Sequence, residues 1–224
     1  MNKREAAVER LFSRLAPHYG LLNTVLTFGL HHLWRRFAVS RVPQGPGMTA
    51  LDLCAGTGDF AAALLRTGTA VVAADLSAPM LAIARRRTRQ RLPAVVADGF
   101  HLPFATGSFG AATVGFGLRH SQQELPVLLR EIRRVLKPGA KLVVLELSHP
   151  PSPIWRWLTG LYMHALVPLV GAIVDAEAYR YLSESLHGYP DAPALRELLL
   201  ESGFSACEYH LLTGGVVAVH VATA

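Results

Sequence analysis

The chain has 224 residues, 51% of them hydrophobic and 17% charged, so it can bury a large core and is not a disordered segment. Its net charge of +6 and its pI of about 9.7 favour an anionic partner, either nucleic acid or acidic lipid. Two cysteines exclude a disulfide framework, and the N-terminal stretch MNKREAAVER holds no apolar signal region, so we expect a cytoplasmic protein.

Residues 4–41 are predicted to form helices that break around Pro17 and Gly29, and residues 1–45 are treated as a helical N-terminal cover. From Ala50 onward, short apolar runs alternate with helical segments, which is typical of a parallel α/β sheet. The whole chain is predicted to be a single domain, 1–224. Its first five strands are predicted at residues 49–54, 70–75, 94–98, 110–116 and 140–147.

Three helix starts carry capping signals. Ser77 precedes a helix with proline in its first turn, Ser121–Glu124 has the spacing of a capping box, and Asp191 precedes APALRELLLESG. The sequence ACEYHLL, a TGG turn and VVAVHVA then predict an antiparallel hairpin. A doubly wound sheet that ends in such a hairpin fits the two-half dinucleotide fold poorly, and is similar to the Rossmann-like fold of class I methyltransferases.

The apolar stretch 154–174 has the length of a membrane span. It contains Arg156 and Pro168 and lies between the fifth predicted strand and the next helix, so we predict an inserted helical lid over residues 150–190 instead. This lid is expected to touch an anionic membrane. The basic run RRRTRQR (85–91) is interpreted as a solvated helix face, with membrane contact as the alternative.

Asp52 and Asp59 flank a glycine loop, Gly56-Thr57-Gly58, which follows the first predicted strand. The loop satisfies G-x-G-x-x-[G/A], and Asp75 ends the second predicted strand, so the spacing alone allows NAD. A pyrophosphate would bind at the helix N-terminus, and Asp59 would already occupy that positive end. The charge of the loop therefore favours a cationic ligand over a phosphate.

S-adenosylmethionine (SAM) carries a sulfonium and an ammonium group and no phosphate. Carboxylates near the loop would attract its amino acid end, and Asp75 is placed to accept hydrogen bonds from the ribose hydroxyls. Asp98, at the end of the third predicted strand, is the expected neighbour of the adenine edge. The alternative is that Asp52 and Asp59 only cap backbone amides.

Five motifs, LDLCAGTGDF, ADLSAPML, ADGFHLPF, GFGLRH and LKPGAKLVVLELSHP, resemble the demethylmenaquinone and 2-polyprenyl-1,4-benzoquinol C-methyltransferases of quinone biosynthesis. The resemblance extends to LFSRLAPHYGLLNTVLTFGLHHLWRR, AYRYLSESL and GFSACEYHLLTGGVVAVH, and so spans nearly the whole chain. It implies SAM-dependent methylation of a quinol ring carbon. The predicted cofactor-binding residues are Asp52, Gly56, Thr57, Gly58, Asp75, Leu76, Asp98, Gly99 and Gly115.

Arg119 and His120 follow the fourth predicted strand, at the sheet edge where such folds bind ligands. Ionising a quinol hydroxyl makes its ring a better nucleophile, so Arg119 is predicted to stabilise the phenolate and His120 to accept a proton. Capping of the following helix is the alternative role of His120. The family usually has Arg-Asn at this position, Tyr-Asp at Tyr19-Gly20, and often serine at Gly115.

The remaining predictions concern the substrate, metals and packing. His31-His32 are predicted to be surface or packing residues. Tyr179, Tyr181 and Asp175 are predicted to line the substrate pocket, and core packing is the alternative for the two tyrosines. No metal is predicted, since the reaction requires none and the ten histidines show no ligand spacing. Tyr19 and Asn23 are predicted to line the substrate pocket as well.

The predicted function is C-methylation of a prenylated demethylmenaquinol in menaquinone biosynthesis, with a benzoquinol of ubiquinone biosynthesis as a further substrate. Three alternatives stay open: methylation of another lipid or small aromatic ring, methylation of RNA, and a non-catalytic module that binds a quinone or nucleotide. The pI motivates the RNA reading, but no amine-methylation motif or catalytic cysteine pair supports it, and no nucleic acid partner is expected. A homodimer is also left open.

Overall fold

In the computed structural model of the chain, the described residues are 3–163, 185 and 188–224. The predicted break at Gly29 is confirmed, and Gly29 has a positive φ of 75° that glycine adopts without steric cost. The break at Pro17 is confirmed as well. The first three helices are α1 (Lys3–Leu15), α2 (Tyr19–Leu26) and α3 (Leu30–Val39).

The two adjacent histidines of α3 have different surroundings. The buried His31 lies with Nδ1 2.7 Å from Thr27 Oγ1, whereas His32 is exposed. Burial lowers the pKa of His31 to about 4, so its ring is neutral at physiological pH. Packing for the first and surface exposure for the second agree with the prediction.

One sheet carries β1 (Thr49–Leu53), β2 (Ala70–Asp75), β3 (Ala94–Val96), β4 (Phe109–Gly115), β5 (Leu136–Leu147), β6 (Ala206–Leu212) and β7 (Val217–Thr223). The strand order is β3-β2-β1-β4-β5-β7-β6. Pairs from β3 to β5 are parallel, whereas β7 runs antiparallel to β5 and β6, which confirms the predicted fold. The order reverses between β1 and β4, and ligands bind at the carboxyl ends of strands at such a reversal.

The helices that follow in the chain are α4 (Asp59–Leu65), α5 (Ala78–Arg87), α6 (Leu125–Val135), α7 (Pro153–Leu161) and α8 (Ala192–Glu201). Two predicted caps are confirmed. The Ser77 hydroxyl accepts a hydrogen bond from the Met80 amide at 3.3 Å, and the Asp191 carboxylate accepts one from the Ala194 amide at 3.0 Å. Each satisfies an amide that the first helical turn leaves unpaired.

The predicted capping box is wrong. Residues Leu118–Glu124 form a short 3₁₀ helix, and Ser121 lies inside it with non-helical backbone angles. Helix α6 begins only at Leu125, and no side chain caps its first turn. The S/T-x-x-E pattern therefore marks a kinked approach to α6 and not its first turn.

Hydrophobic side chains pack on both faces of the sheet. One cluster includes Ile132 of α6 and Leu199 of α8, and the other includes Trp34 of α3 and Phe60 of α4. Successive residues of a strand point to opposite faces. As a result, β1 directs Asp52 towards α4, and this placement decides what that carboxylate can contact.

Among the described residues, no helix combines the length and the hydropathy that crossing a membrane requires. Helix α7 covers the start of the apolar stretch 154–174, and residues 164–174 fall outside the described ranges. The lid predicted over 150–190 lies largely outside them too, so it stays a prediction.

Candidate active site

A cavity opens at the carboxyl edge of the sheet, where the strand order reverses, with an empty volume of about 1100 Å³ that includes space at its mouth. The segments that follow β1, β2, β3 and β4 line it, and Glu9, Phe12 and Tyr19 of the N-terminal helices complete the wall. The fold therefore brings the predicted motifs, which are far apart in sequence, to one cleft.

The glycine loop after β1 exposes backbone to this cavity. Gly56 has φ 52°, and a Cβ atom added there would meet no atom within 4 Å. Gly58 has φ 76°, but a Cβ atom added there would lie 2.6 Å from Cβ of Ala84 in α5. Gly56 is thus the glycine that leaves room for a ligand, whereas Gly58 allows α5 to pack closely. Thr57 is buried and its carbonyl accepts a hydrogen bond from Arg87 at 3.3 Å.

Asp52 supports the loop from below. Its carboxylate accepts hydrogen bonds from the Ala61 amide at 2.9 Å and from the Thr113 hydroxyl at 2.8 Å. The helix cap residue, Gly58, has no side chain, so Asp52 supplies the missing acceptor for the first turn of α4. Burial raises the pKa of Asp52 to about 7, so its negative charge is incomplete at neutral pH.

Asp59 is neutralised by two arginines. Its carboxylate lies 3.0 Å from Nη2 of Arg35 and 2.6 Å from Nη1 of Arg87. Asp52 thus has the alternative role of capping a backbone amide, whereas Asp59 is held by arginine side chains, and neither residue lines the cavity. The ion pair engages Arg87 of the basic run, whereas its other arginines, Arg85, Arg86, Arg89 and Arg91, are exposed. The charge that a ligand meets comes from other residues.

Four other carboxylates line the cavity: Glu9, Asp75, Asp98 and Glu124. No lysine or arginine is among the described residues that line it. A site of this kind attracts cations and repels phosphates. The lining of the cavity therefore supports the preference for a cationic ligand that was argued from the sequence. The carboxylates responsible are these four and not Asp52 and Asp59.

Asp75 lies at the end of β2 with both carboxylate oxygens already oriented. Oδ2 accepts a hydrogen bond from the Gly56 amide and Oδ1 accepts one from the Ser77 amide, each at 2.8 Å. The Leu76 amide also donates to this carboxylate. A carboxylate has about four acceptor sites, so at least one remains for a ligand hydroxyl. Leu76, which follows Asp75, lines the cavity.

The Asp98–Gly99 pair forms the far wall. The Asp98 carboxylate accepts a hydrogen bond from the Phe100 amide at 2.9 Å, which fixes its direction. A Cβ atom added to Gly99 would lie 2.9 Å from Cδ1 of Leu128, so a larger residue would disturb α6. Both residues line the cavity.

Gly115 ends β4 against the Phe60 ring. A Cβ atom added to Gly115 would lie 2.6 Å from Cε2 of Phe60, so the serine that the family often carries here would require that ring to move. The next residue, Phe116, lines the cavity with a positive φ of 56°. A non-glycine residue in this conformation is strained and is held there by its surroundings.

Arg119 supplies part of that support. Its Nη1 donates hydrogen bonds to the Phe116 carbonyl at 2.6 Å and to the Glu146 carboxylate at 2.8 Å. The ion pair is buried, and Arg119 is not among the residues that line the cavity. Arg119 was predicted to stabilise the phenolate, and the structure shows it paired with Glu146 and bonded to the Phe116 carbonyl, as a residue that positions Phe116 would be.

His120 lies at the cavity. Its ring lines the cavity wall and packs edge-on against Phe12 of α1, with ring centroids 5.1 Å apart. The His120 amide closes a turn onto the Gly117 carbonyl at 3.2 Å. Of the two predicted catalytic residues, His120 is the one that can reach a bound substrate.

Tyr19 also lines the cavity, and its ring packs edge-on against Phe12 with centroids 5.9 Å apart. Burial raises the pKa of Tyr19, and the hydrogen bond with the Asn23 side chain and the charge of Arg119 oppose the rise. Three other predicted substrate residues, Asp175, Tyr179 and Tyr181, lie outside the described residues.

Sequence reasoning missed the contribution of α1. Glu9 and Phe12 line the cavity, and Ser13 connects the helix to the sheet edge. The Ser13 hydroxyl donates to the Glu9 carboxylate at 2.6 Å and lies 2.7 Å from the Ser77 hydroxyl. Residues three and four apart share one helix face, so the spacing shows that Glu9, Phe12 and Ser13 point to the same side of α1, but not what that side contacts.

The match to known proteins extends over the whole chain. A sequence model of the ubiE/COQ5 methyltransferase family matches residues 1–224. The chain belongs to this family. A demethylmenaquinone methyltransferase from Corynebacterium kroppenstedtii is 40% identical over 225 residues, covering 100% of this chain and 96% of its own. A ubiquinone/menaquinone biosynthesis C-methyltransferase UbiE from Hahella chejuensis is 36% identical, covering 98% of this chain and 92% of its own.

Solved structures of lower identity share the fold. A SAM-dependent methyltransferase from Thermotoga maritima aligns with a TM-score of 0.69 at 19% identity, covering 96% of this chain and 98% of its own. A putative methyltransferase crystallised with the Haloferax volcanii Trm112 activator aligns with a TM-score of 0.69 at 18% identity, covering 95% of this chain and 97% of its own. This ubiE/COQ5 chain therefore has the class I methyltransferase fold, and SAM is its methyl donor.

The cavity of this ubiE/COQ5 chain fits SAM. Gly56 gives open backbone, Asp75 keeps acceptor capacity for a ligand hydroxyl, and Asp98 adds a second carboxylate to the cavity wall. The surplus of carboxylates suits a ligand with two positive charges. Among the described residues, His, Cys, Asp and Glu side chains do not gather in groups of three or more as metal ligands would.

We expect Asp75→Ala to weaken SAM binding by about 1–3 kcal/mol, because two ribose hydroxyls lose a charged acceptor in a desolvated site. The Gly56 and Ser77 amides lose their acceptor as well, which loosens the loop. Isothermal titration calorimetry with SAM measures the change directly.

Asp191→Ala is the matched control. Its carboxylate also accepts a backbone amide hydrogen bond, but it caps α8 and does not line the cavity. SAM affinity should be unchanged in that variant. If Asp75→Ala binds SAM as tightly as the unmodified chain, or if the chain binds NADH tightly, the assignment of Asp75 to the cofactor is wrong.

Proposed function

We propose that this chain transfers the methyl group of SAM to a ring carbon of a prenylated demethylmenaquinol. The observation that carries the proposal is that aromatic rings line the same cavity as the acids. Phe12 packs against Tyr19 and His120, and these three residues and Phe116 line the cavity and suit a flat quinol ring. The names of the relatives, one of them a demethylmenaquinone methyltransferase, support the same substrate class.

When bound, SAM supplies an electrophilic methyl group. In the proposed reaction the quinol hydroxyl loses its proton, the ring carbon forms a new carbon–carbon bond as the sulfur–methyl bond breaks, and S-adenosylhomocysteine leaves. The ring carbon then loses its own proton and the oxygen is protonated again, so one proton is released for each methyl group transferred. The ring must lie within about 3–3.5 Å of the methyl group and away from water. Phe12, Tyr19 and Phe116 would hold the ring in this position.

His120 would accept the proton that the quinol hydroxyl loses. Histidine is the commonest general base in enzymes, and His120 already lines the cavity beside Phe12. Arg119 would act indirectly, because its hydrogen bond to the Phe116 carbonyl holds that ring at the cavity wall. Tyr19 would contact the substrate ring from α2.

The same proposal places the chain at a membrane surface, since a polyprenyl substrate resides in the bilayer. The net charge of +6 is compatible with reversible binding to an anionic membrane. Association of this kind is peripheral, and it leaves the cavity to receive the quinol head group.

An in vitro methyl-transfer assay tests the proposal. Radiolabelled SAM is supplied with demethylmenaquinol and, in a parallel reaction, with a 2-polyprenyl-benzoquinol, and the products are separated by chromatography. We expect label in the demethylmenaquinol product, and the parallel reaction measures the second quinol class. SAM binding without label in either quinol would indicate a non-catalytic module, and label in added RNA would indicate the nucleic acid alternative.

A further inference from the structure

Two helices on the N-terminal side of the molecule expose large apolar side chains. Leu21 and Val25 on α2, Phe28 just after it, and Ile154, Trp157 and Leu161 on α7 are between 47% and 72% exposed. We call these six residues the apolar face. Isolated apolar residues on a surface are ordinary, but a group on two adjoining helices indicates a binding surface.

Contacts between the two helices make the face continuous. The Tyr162 hydroxyl, just after α7, donates a hydrogen bond to the Leu26 carbonyl of α2. The Tyr162 ring also packs against Phe28, with centroids 6.4 Å apart. The exposed residues of α2 and α7 therefore belong to one surface.

Contacts of Trp155 and Tyr162 with the rest of the protein fix the orientation of α7. Trp155 lies against the turn at Gly214, where an added Cβ would be 2.2 Å from the indole ring, and Tyr162 is bound to α2. Ile154, Trp157 and Leu161 have the spacing of a single helix face on the other side. That side of α7 is thus turned outward, and no residue of the helix is buried.

Phe28 is in a strained position for an exposed residue. It has a φ of 50°, a conformation that glycine or asparagine adopts at lower cost, and it is the most exposed residue of the face. Strain of this kind persists where function requires the side chain. Insertion of an exposed aromatic ring into an apolar phase is favourable, because it removes the apolar surface of the ring from water.

The charge of the surrounding segments identifies the partner. Residues 9–41 contain one acidic residue, Glu9, and five arginines, of which Arg35 is paired with Asp59 and the other four are exposed. Residues 148–163 contain Arg156 and no acidic residue. Arg36 and Arg156 are exposed on the helices that carry or adjoin the face. A tryptophan-bearing apolar surface among arginines matches the boundary between anionic head groups and acyl chains.

We infer that the apolar face docks onto an anionic lipid bilayer. Helix α2 connects the face to the site: Tyr19 at its start lines the cavity, whereas Leu21 and Val25 face outward. A helix of eight residues is about 12 Å long, so docking brings the cavity mouth close to the membrane. The purpose of docking rests on the proposed function, but the binding itself requires no substrate.

Vesicle co-sedimentation of the full chain tests the inference. The protein is titrated with phosphatidylcholine vesicles and with vesicles that also contain phosphatidylglycerol. We expect binding to the anionic vesicles that decreases with added salt. Phe28→Asn and Trp157→Gln should each weaken this binding by about tenfold, because an aromatic ring no longer enters the bilayer.

The variants are chosen to remain folded. Asparagine tolerates the backbone conformation of Phe28, and Trp157 is mostly exposed. Val127→Gln on α6 removes an exposed apolar residue that is not part of the face, so it should bind like the unmodified chain. Methyl transfer to a water-soluble short-chain quinol should be unchanged in all three variants.

Two results would overturn the inference. One is undiminished vesicle binding by both Phe28→Asn and Trp157→Gln. The other is loss of binding only when Arg85 and Arg86 of α5 are replaced by glutamine, which would move the membrane contact to the basic run. A chain that binds vesicles as expected but methylates no quinol would disprove the proposed function and leave the docking surface intact.

Discussion

We expect Arg119→Ala to lower the free energy of unfolding by about 3–5 kcal/mol, because it leaves the Glu146 carboxylate buried without its ion pair. The bonds lost are those from Nη1 to Glu146 at 2.8 Å and to the Phe116 carbonyl at 2.6 Å. Urea unfolding followed by circular dichroism measures the change.

A double variant separates the ion pair from the side-chain volume. Buried ion pairs can often be replaced by apolar residues of similar size with little loss of stability. We therefore expect Arg119→Met with Glu146→Leu to recover much of the stability that Arg119→Ala loses. Arg119→Ala should also lower the rate of methyl transfer, because the Phe116 carbonyl loses its hydrogen-bond donor. The rate should remain low in the double variant, which does not restore that donor. A loss below about 1 kcal/mol in Arg119→Ala would show that the pair is not what stabilises this region.

His120→Asn should reduce the single-turnover rate of methyl transfer by about 100-fold, as expected for the loss of a general base. In the unmodified chain the rate should rise with pH through the titration of the imidazole, and the variant should lack that rise. The substitution restores the asparagine that the family usually has, so it tests whether the histidine is a local replacement for the base. SAM affinity should change little, because the cofactor contacts lie at other strand ends.

Asp52 requires a control in the same experiment. Burial raises its pKa to about 7 from an ordinary value of 3.8, so folding favours its protonated form. The contribution of the protonated Asp52 carboxyl to the free energy of unfolding is complete below pH 3.8, the ordinary pKa, and is lost as the pH rises through about 7. Asp52→Asn in the otherwise unmodified chain, assayed at saturating SAM, shows which part of the pH profile belongs to the loop. If His120→Asn retains both the rate and the pH profile, His120 is not the base.

The sheet could be predicted from sequence because its strands are buried on both faces. Such strands read as continuous apolar runs, and the carboxylates at their ends, such as Asp75 and Asp98, then fall at one edge. The direction of a side chain at a strand end could not be predicted. Asp52 and Arg119 follow the same pattern as the cavity residues, but packing directs them into the interior.

The contribution of α1 could not be predicted for a different reason. Glu9 and Phe12 reach the cavity only because α1 packs across the edge of the sheet, with Ser13 beside Ser77. No local pattern encodes a contact between residues so far apart in sequence. The predicted capping box failed in a similar way. Ser121–Glu124 match the pattern, but they lie in a kinked 3₁₀ helix, and α6 begins only at Leu125.

The position of β7 has a consequence for how the chain folds during synthesis. This strand is made after β5 and β6, yet it lies between them and pairs with seven residues of each. Until β7 leaves the ribosome, the apolar edge of β5 has no partner on that side, and β6 cannot join the sheet. Nascent or truncated chains that lack β7 therefore expose an unpaired hydrophobic strand, and we expect them to depend on chaperones to avoid aggregation.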